Sequence, residues 1–147
     1  MNPRRTLPLR AGLAALALVA LTLIQAFGTS PVEAASSATF SAPSRNIGCT
    51  MSTASVRCDA ITYSYRPTTK PASCYFAWGP SMQVTTTGKG RFRCVSDTVA
   101  GSSRILAYGK STTVGRFKCT SRTTGMTCIN TRNGHGFRIS RTSYRLF

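Results

Sequence analysis

Two pairs of cysteines, Cys49 with Cys58 and Cys119 with Cys128, are each separated by nine positions, and both pairs sit in segments that alternate apolar and polar residues. In an extended strand, neighbours point to opposite faces and residues two apart share one. A bridge between positions nine apart therefore joins two antiparallel strands across a short even loop, for which Ser52-Thr53-Ala54-Ser55 is suited. Six cysteines permit 15 pairings; the matched spacing favours Cys49–Cys58 and Cys119–Cys128, which leaves Cys74 for Cys94. Zinc is the competing use of so many cysteines, but no C-x-x-C pair occurs, and no metal is expected.

The same grammar recurs. Gly90-Arg91-Phe92-Arg93-Cys94-Val95-Ser96 is nearly repeated as Gly115-Arg116-Phe117-Lys118-Cys119-Thr120-Ser121, and Val56-Arg57-Cys58 is a shorter version. Phenylalanine and cysteine share one face of these segments; Arg57, Arg91, Arg93, Arg116 and Lys118 take the other. Further strands are expected around 47–51, 56–65, 74–78, 82–86, 105–108, 126–128 and 137–139, separated by turns such as Thr87-Gly88-Lys89-Gly90 and Asn133-Gly134. Tyr144 and Phe147 should fold back over the core. Short strands punctuated in this way predict an all-β fold, a small antiparallel sandwich or barrel built from disulfide-bridged hairpins.

The first residues read differently. Arg4, Arg5 and Arg10 precede an uncharged apolar run from Ala11 to Phe27, and Val32-Glu33-Ala34 carries small residues where a signal peptidase cuts. The expected organisation is a signal-peptide helix over 1–34, a flexible small-residue lead-in over 35–44 and a disulfide-bonded all-β domain over 45–147. Without residues 1–34 the net charge is +16 − 3 + 1 = +14 on 113 residues, with Asp59 and Asp97 the remaining acids. So one-sided a charge steers polyanions to the surface. Anionic wall polymers, anionic lipid and, through charge only, nucleic acid are the partners it suits. Three bridges likewise fit a secreted, extracellular setting, where thiols are oxidised, and the charge would allow association with a cell wall.

The run Phe40-x-x-Pro43-Ser44-x-Asn46-Ile47-x-Cys49, followed by Val56-Arg57-Cys58-Asp59, Trp78-Gly79, Tyr108-Gly109 and Gly134-His135-Gly136-Phe137-x-Ile139-Ser140-Arg141, resembles a family of small secreted proteins of unknown function found mainly in actinobacteria. The resemblance implies export, paired cysteines and a Gram-positive surface setting. It implies no activity and no catalytic residue.

Catalysis has little to draw on. Hydrolysis needs a positioned acid and base, or a nucleophile with its base, and residues 35–147 hold only His135, Asp59 and Asp97 for such work. A glycosidase requires two carboxylates across one bond, and these two lie in unrelated segments. No cofactor is expected. A small basic nuclease using His135 is the enzymatic alternative; Asn133-Gly134-His135-Gly136 equally makes a turn in which the imidazole is structural. Trp78 either packs in the core or offers a ring to a ligand. The expected function is an exported, non-enzymatic cationic module that associates with anionic envelope polymers through Arg57, Arg91, Arg93, Arg116 and Lys118, with Trp78 and His135 as possible ligand contacts. The alternative is a secreted protein-binding module, an inhibitor or effector with a protein partner, presenting a rigid loop.

Overall fold

The computed structural model describes residues 35–147, so the leader expected over 1–34 lies outside the described residues. Ten strands form two five-stranded antiparallel sheets, each a simple meander. The first sheet runs β1 (Ser37–Ser41), β2 (Ile47–Ser52), β3 (Ser55–Ala60), β4 (Ser81–Thr85) and β5 (Arg91–Phe92). The second runs β6 (Ser111–Val114), β7 (Phe117–Arg122), β8 (Gly125–Asn130), β9 (Gly136–Ile139) and β10 (Tyr144–Leu146), neighbours in sequence being neighbours in space.

One row of inward side chains organises each sheet. Phe40, Cys49, Cys58, Met82 and Phe92 stand opposite one another from β1 to β5. Thr112, Cys119, Cys128, Phe137 and Leu146 do the same from β6 to β10. All three expected disulfides are present, and the two hairpin bridges join directly opposed residues with Cα atoms 4.1 Å apart. That is close to the spacing of a non-hydrogen-bonded antiparallel pair, where side chains approach most nearly. The bridges meet in the middle, with Cys58 Sγ 3.6 Å from Cys128 Sγ. Phe40, Phe117, Phe137, Met51, Met82 and Met126 fill the space around them and are essentially inaccessible. Tyr65, Phe92, Trp78 and Tyr144 close one side, with Phe92 and Tyr144 edge to face at 4.8 Å.

Two glycines let backbones approach. Gly90 donates to the Phe147 carbonyl and joins the edge of the first sheet to the last residues of the chain. A Cβ there would overlap the Gly136 carbonyl, which explains the glycine that opens the first copy of the repeated stretch. Gly48 lies under Ala100, whose Cα occupies the place of a side chain. The segment after β5 thus crosses the outer face of the first sheet and then runs beside β1, where Ser41 N donates to Arg104 O and Leu106 N to Ser41 O.

Several local expectations are corrected. Segment 35–44 is no loose lead-in, because β1 occupies half of it and buries Phe40 beside Cys49. The strand expected to continue to Tyr65 ends at Ala60: Asn46 clamps Thr62 through two hydrogen bonds of 2.9 Å and diverts the chain. Of the strands expected at 74–78 and 105–108, only single bridges remain, Ala77 with Val95 and Ile105 with Ser41. The β1–β2 connection turns through Pro43 and Ser44, with Arg45 N on Ala42 O, and Arg45 adopts a φ of 56°. A Cβ in that left-handed conformation costs about 1–2 kcal/mol relative to glycine.

Candidate anion-binding face

The five cations expected on one strand face divide between two sheets, and one of them is not exposed. Arg57 points away from the core, yet the segment around Asp97 and Val99 covers it and leaves 10% of its side chain exposed. Its guanidinium makes five hydrogen bonds: Nε to Asp59 Oδ1 and Ser81 Oγ, Nη2 to Asp59 Oδ2 and Asp97 O, and Nη1 to Asp97 Oδ1, all between 2.8 and 3.0 Å. Burial alone would lower the Arg57 pKa, but the hydrogen bonds to Asp59 and then Asp97 outweigh it and hold the group charged. In return, the Arg57 hydrogen bond holds the Asp97 carboxyl below the usual carboxylate range. Both aspartates of the described residues are therefore committed to one arginine on the first sheet. Arg57 is a structural cation and no longer a candidate for ligand binding.

Arg91 and Arg93 flank Phe92 on the edge strand of that sheet. Both are exposed, and Arg93 Nη1 donates to Gln83 Oε1 at 2.9 Å. Trp78 is half-buried against Phe92, and its indole N–H donates to Thr68 O at 2.7 Å, so the ring is part of the packing. His135 lies in the β8–β9 connection. Its backbone N–H donates to Asn133 Oδ1 and its carbonyl accepts from Asn130 N, while Gly134 takes a φ of 75° in the expected Asn-Gly turn. Asn130 and Asn133 fasten this loop to the carbonyls of Thr85 and Thr86. That end of the strands is opposite to the one where Asp59 sits, paired with Ser81. The histidine and the carboxylates are not brought together.

The outer face of the second sheet is different in kind. One row across it reads Ser111, Thr120, Thr127, Arg138, Arg145; the next reads Thr113, Lys118, Ile129, Gly136. Arg116 lies in the turn that leads into the face, and Arg122 ends β7 on the same side as Lys118 and Thr120. Ser111 Oγ and Thr120 Oγ1 share a hydrogen at 2.8 Å, and the Arg145 guanidinium lies over the Phe147 ring, 5.4 Å from its centre. No side-chain carboxylate of the described residues reaches this face, since both are bonded to Arg57.

Arg138 and Arg145 are directly opposed on adjacent strands. Like charges so placed, with Cβ atoms about 5 Å apart, destabilise a sheet. Neither forms an ion pair among the described residues: Arg138 Nη2 reaches Ser143 Oγ at 3.3 Å, while its Nε is buried without any partner. Arg116 and Lys118 are the two members of the expected set that belong to this face. Arg122, Arg138 and Arg145 join them, and the alternation in Phe137-Arg138-Ile139 and Tyr144-Arg145-Leu146 was the signal for the last two. What the rows offer is an array of guanidinium and ammonium donors interleaved with hydroxyls, groups able to donate to anionic oxygens.

No curated protein and no solved structure matches the chain. Over residues 17–147 it matches a family of unknown function, DUF6636, and it is a member of that family.

Proposed function

We propose that the protein is an exported, non-enzymatic module that associates with the anionic polymers of its own cell envelope through the outer face of the β6–β10 sheet. The observation that carries this reading is the opposed pair Arg138 and Arg145, set among threonines and left without a carboxylate because both aspartates serve Arg57. An anion bound across the pair would relieve the repulsion and complete the hydrogen bonding of a guanidinium. Export is supported by the three bridges, the basic-then-apolar leader and its small-residue cut site. The resemblance to small secreted actinobacterial proteins makes a Gram-positive wall the surface to test. A hydrolase is disfavoured, because His135 and the two aspartates lie apart.

The test is retention of the disulfide-bonded protein on isolated cell walls, with and without their anionic polymers, at low and moderate salt. Cations near an anionic surface contribute about 1 kcal/mol each, so replacing Lys118, Arg138 and Arg145 together by Gln should weaken retention about a hundredfold and flatten its salt dependence. Arg91→Gln with Arg93→Gln, on the other sheet, should leave retention nearly unchanged. Equal retention of the triple variant and the parent overturns the proposal. A second reading, docking to a protein, is favoured by Tyr75 and Phe76, 87% and 57% exposed beside the Cys74–Cys94 bridge. It takes precedence if retention resists salt and is lost on replacing those two aromatics by Ser.

A further inference from the structure

We infer that a cleft at one end of the sandwich binds a single anionic sugar unit, with Arg45, Arg122 and Arg141 receiving its oxyanion and Tyr108 and Ile61 its ring. The cleft has a volume of about 450 Å³, within the range of about 300–1,000 Å³ usual for small-ligand sites. Four connections wall it: the β1–β2 turn with Arg45, the β7–β8 turn with Arg122, the β9–β10 turn with Arg141, and the approach to β6 with Tyr108. Ile61, just past β3, completes it.

Three features distinguish this cleft from an ordinary gap between turns. No carboxylate lines it, and none of its three arginines makes an ion pair among the described residues. Second, Arg45 holds a left-handed backbone position, φ 56°, that glycine fills without strain. The turn itself therefore does not ask for arginine; a cation at the rim does. Third, Ile61 and Tyr108 are 64% and 42% exposed on the same walls, and they supply an apolar floor beside the cationic rim. A ring bearing a phosphoryl or carboxyl group satisfies both halves at once, with the planar guanidinium forks on its oxygens.

The walls are also fixed in advance. Asn46 holds Thr62 by two hydrogen bonds, Ile61 N donates to Asn46 O, and Ser64 N donates to Arg141 O at 2.8 Å. Ser140 Oγ and the Ser143 backbone close the β9–β10 turn on itself. Such a site loses little entropy on binding. The inference rests on the envelope-polymer reading for the source of the ligand, a polymer's repeating or terminal unit, but it uses a separate cleft that shares only Arg122 with the sheet face.

Titration calorimetry of the full disulfide-bonded chain tests it, with glucose 1-phosphate, glucuronate, glucose and inorganic phosphate as separate probes. Saturable binding of glucose 1-phosphate or glucuronate, at least tenfold tighter than of glucose and inorganic phosphate, is the expected result, and the preferred probe identifies the oxyanion. Arg45→Gly should abolish at least tenfold of that affinity without lowering the urea midpoint, and Arg141→Gln should do the same from an exposed position. Tyr108→Ala should reduce the sugar anion to the level of inorganic phosphate. Ring-bearing and ring-free anions binding alike, or Arg45→Gly binding as the parent does, overturns the inference. The Lys118, Arg138 and Arg145 triple variant should keep the sugar-anion affinity while losing wall retention, which separates a failure of the cleft from a failure of the sheet face.

Discussion

Asp59→Asn is the sharpest test of how the first sheet holds its buried charge. The Asp59 carboxylate accepts from Arg57 Nε and Nη2 and, through Oδ2, from Val99 N at 3.0 Å, with only 4% of its side chain exposed. An amide keeps one oxygen and turns an NH₂ group toward donors, so it loses the charge and opposes donor to donor. Breaking a buried ion pair from one side costs about 3–5 kcal/mol, because the other charge stays buried. Against a total stability of about 5–15 kcal/mol and a urea slope of about 2 kcal/mol per molar, the urea midpoint should fall by about 2 M. Asp97→Asn is the control: its carboxylate is 68% exposed, and solvent screening should keep the loss well below that of Asp59→Asn. Replacing Arg57 by Met and Asp59 by Leu together should recover most of the stability, since an apolar pair leaves no charge stranded. Urea unfolding of the oxidised protein at pH 7, followed by circular dichroism, reads all three. An Asp59→Asn midpoint equal to that of Asp97→Asn would mean that Arg57 is solvated in spite of its cover, and the argument would fail.

Two further outcomes follow from the same structure. Asp97 has a lowered folded pKa, so its contribution is complete above the ordinary carboxylate range near about 4 and is lost as pH falls through the lower folded value; the stability of Asp97→Asn should therefore lie a constant small amount below the parent's above about pH 5 and converge with it as pH falls below about 4. Replacing Cys119 and Cys128 by Ala removes a bridge that closes nine positions; the chain-entropy cost is about 2.5–3 kcal/mol, and urea midpoints for the oxidised variant that match the parent's would refute it.

The bridged hairpins were legible because period two and a nine-position interval leave little freedom: Cys49 and Cys119 can reach their partners only across two antiparallel strands. Arg57 was misread for a reason that lies outside strand periodicity. Alternation says which way a side chain points, not whether a later loop lies over it, and residues 97–100 come back across the sheet from 40 positions away. A clue was present nonetheless, since Asp59 is two residues from Arg57 and must share its face. The two copies of the repeated stretch occupy different places: Phe92 lies on the edge strand β5 and Phe117 on the second strand of its sheet. The true correspondence is between β2–β3 and β7–β8, where the cysteine spacing matches. Of the basic face, Arg116 and Lys118 were recognised. The meeting of Arg138 with Arg145 depends on the register of β9 and β10, which a four-residue connection sets and no pattern in 136–147 announces.

Both sheets are meanders of consecutive strands, and two of the three bridges stay within single hairpins. Nearly every ladder is thus closed by chain that is close by in sequence, and local closure is rapid. Each half knits its own strands, and each of these two bridges lies within a single hairpin of its half. A chain built this way gives its six cysteines few opportunities to meet the wrong partner before the right one.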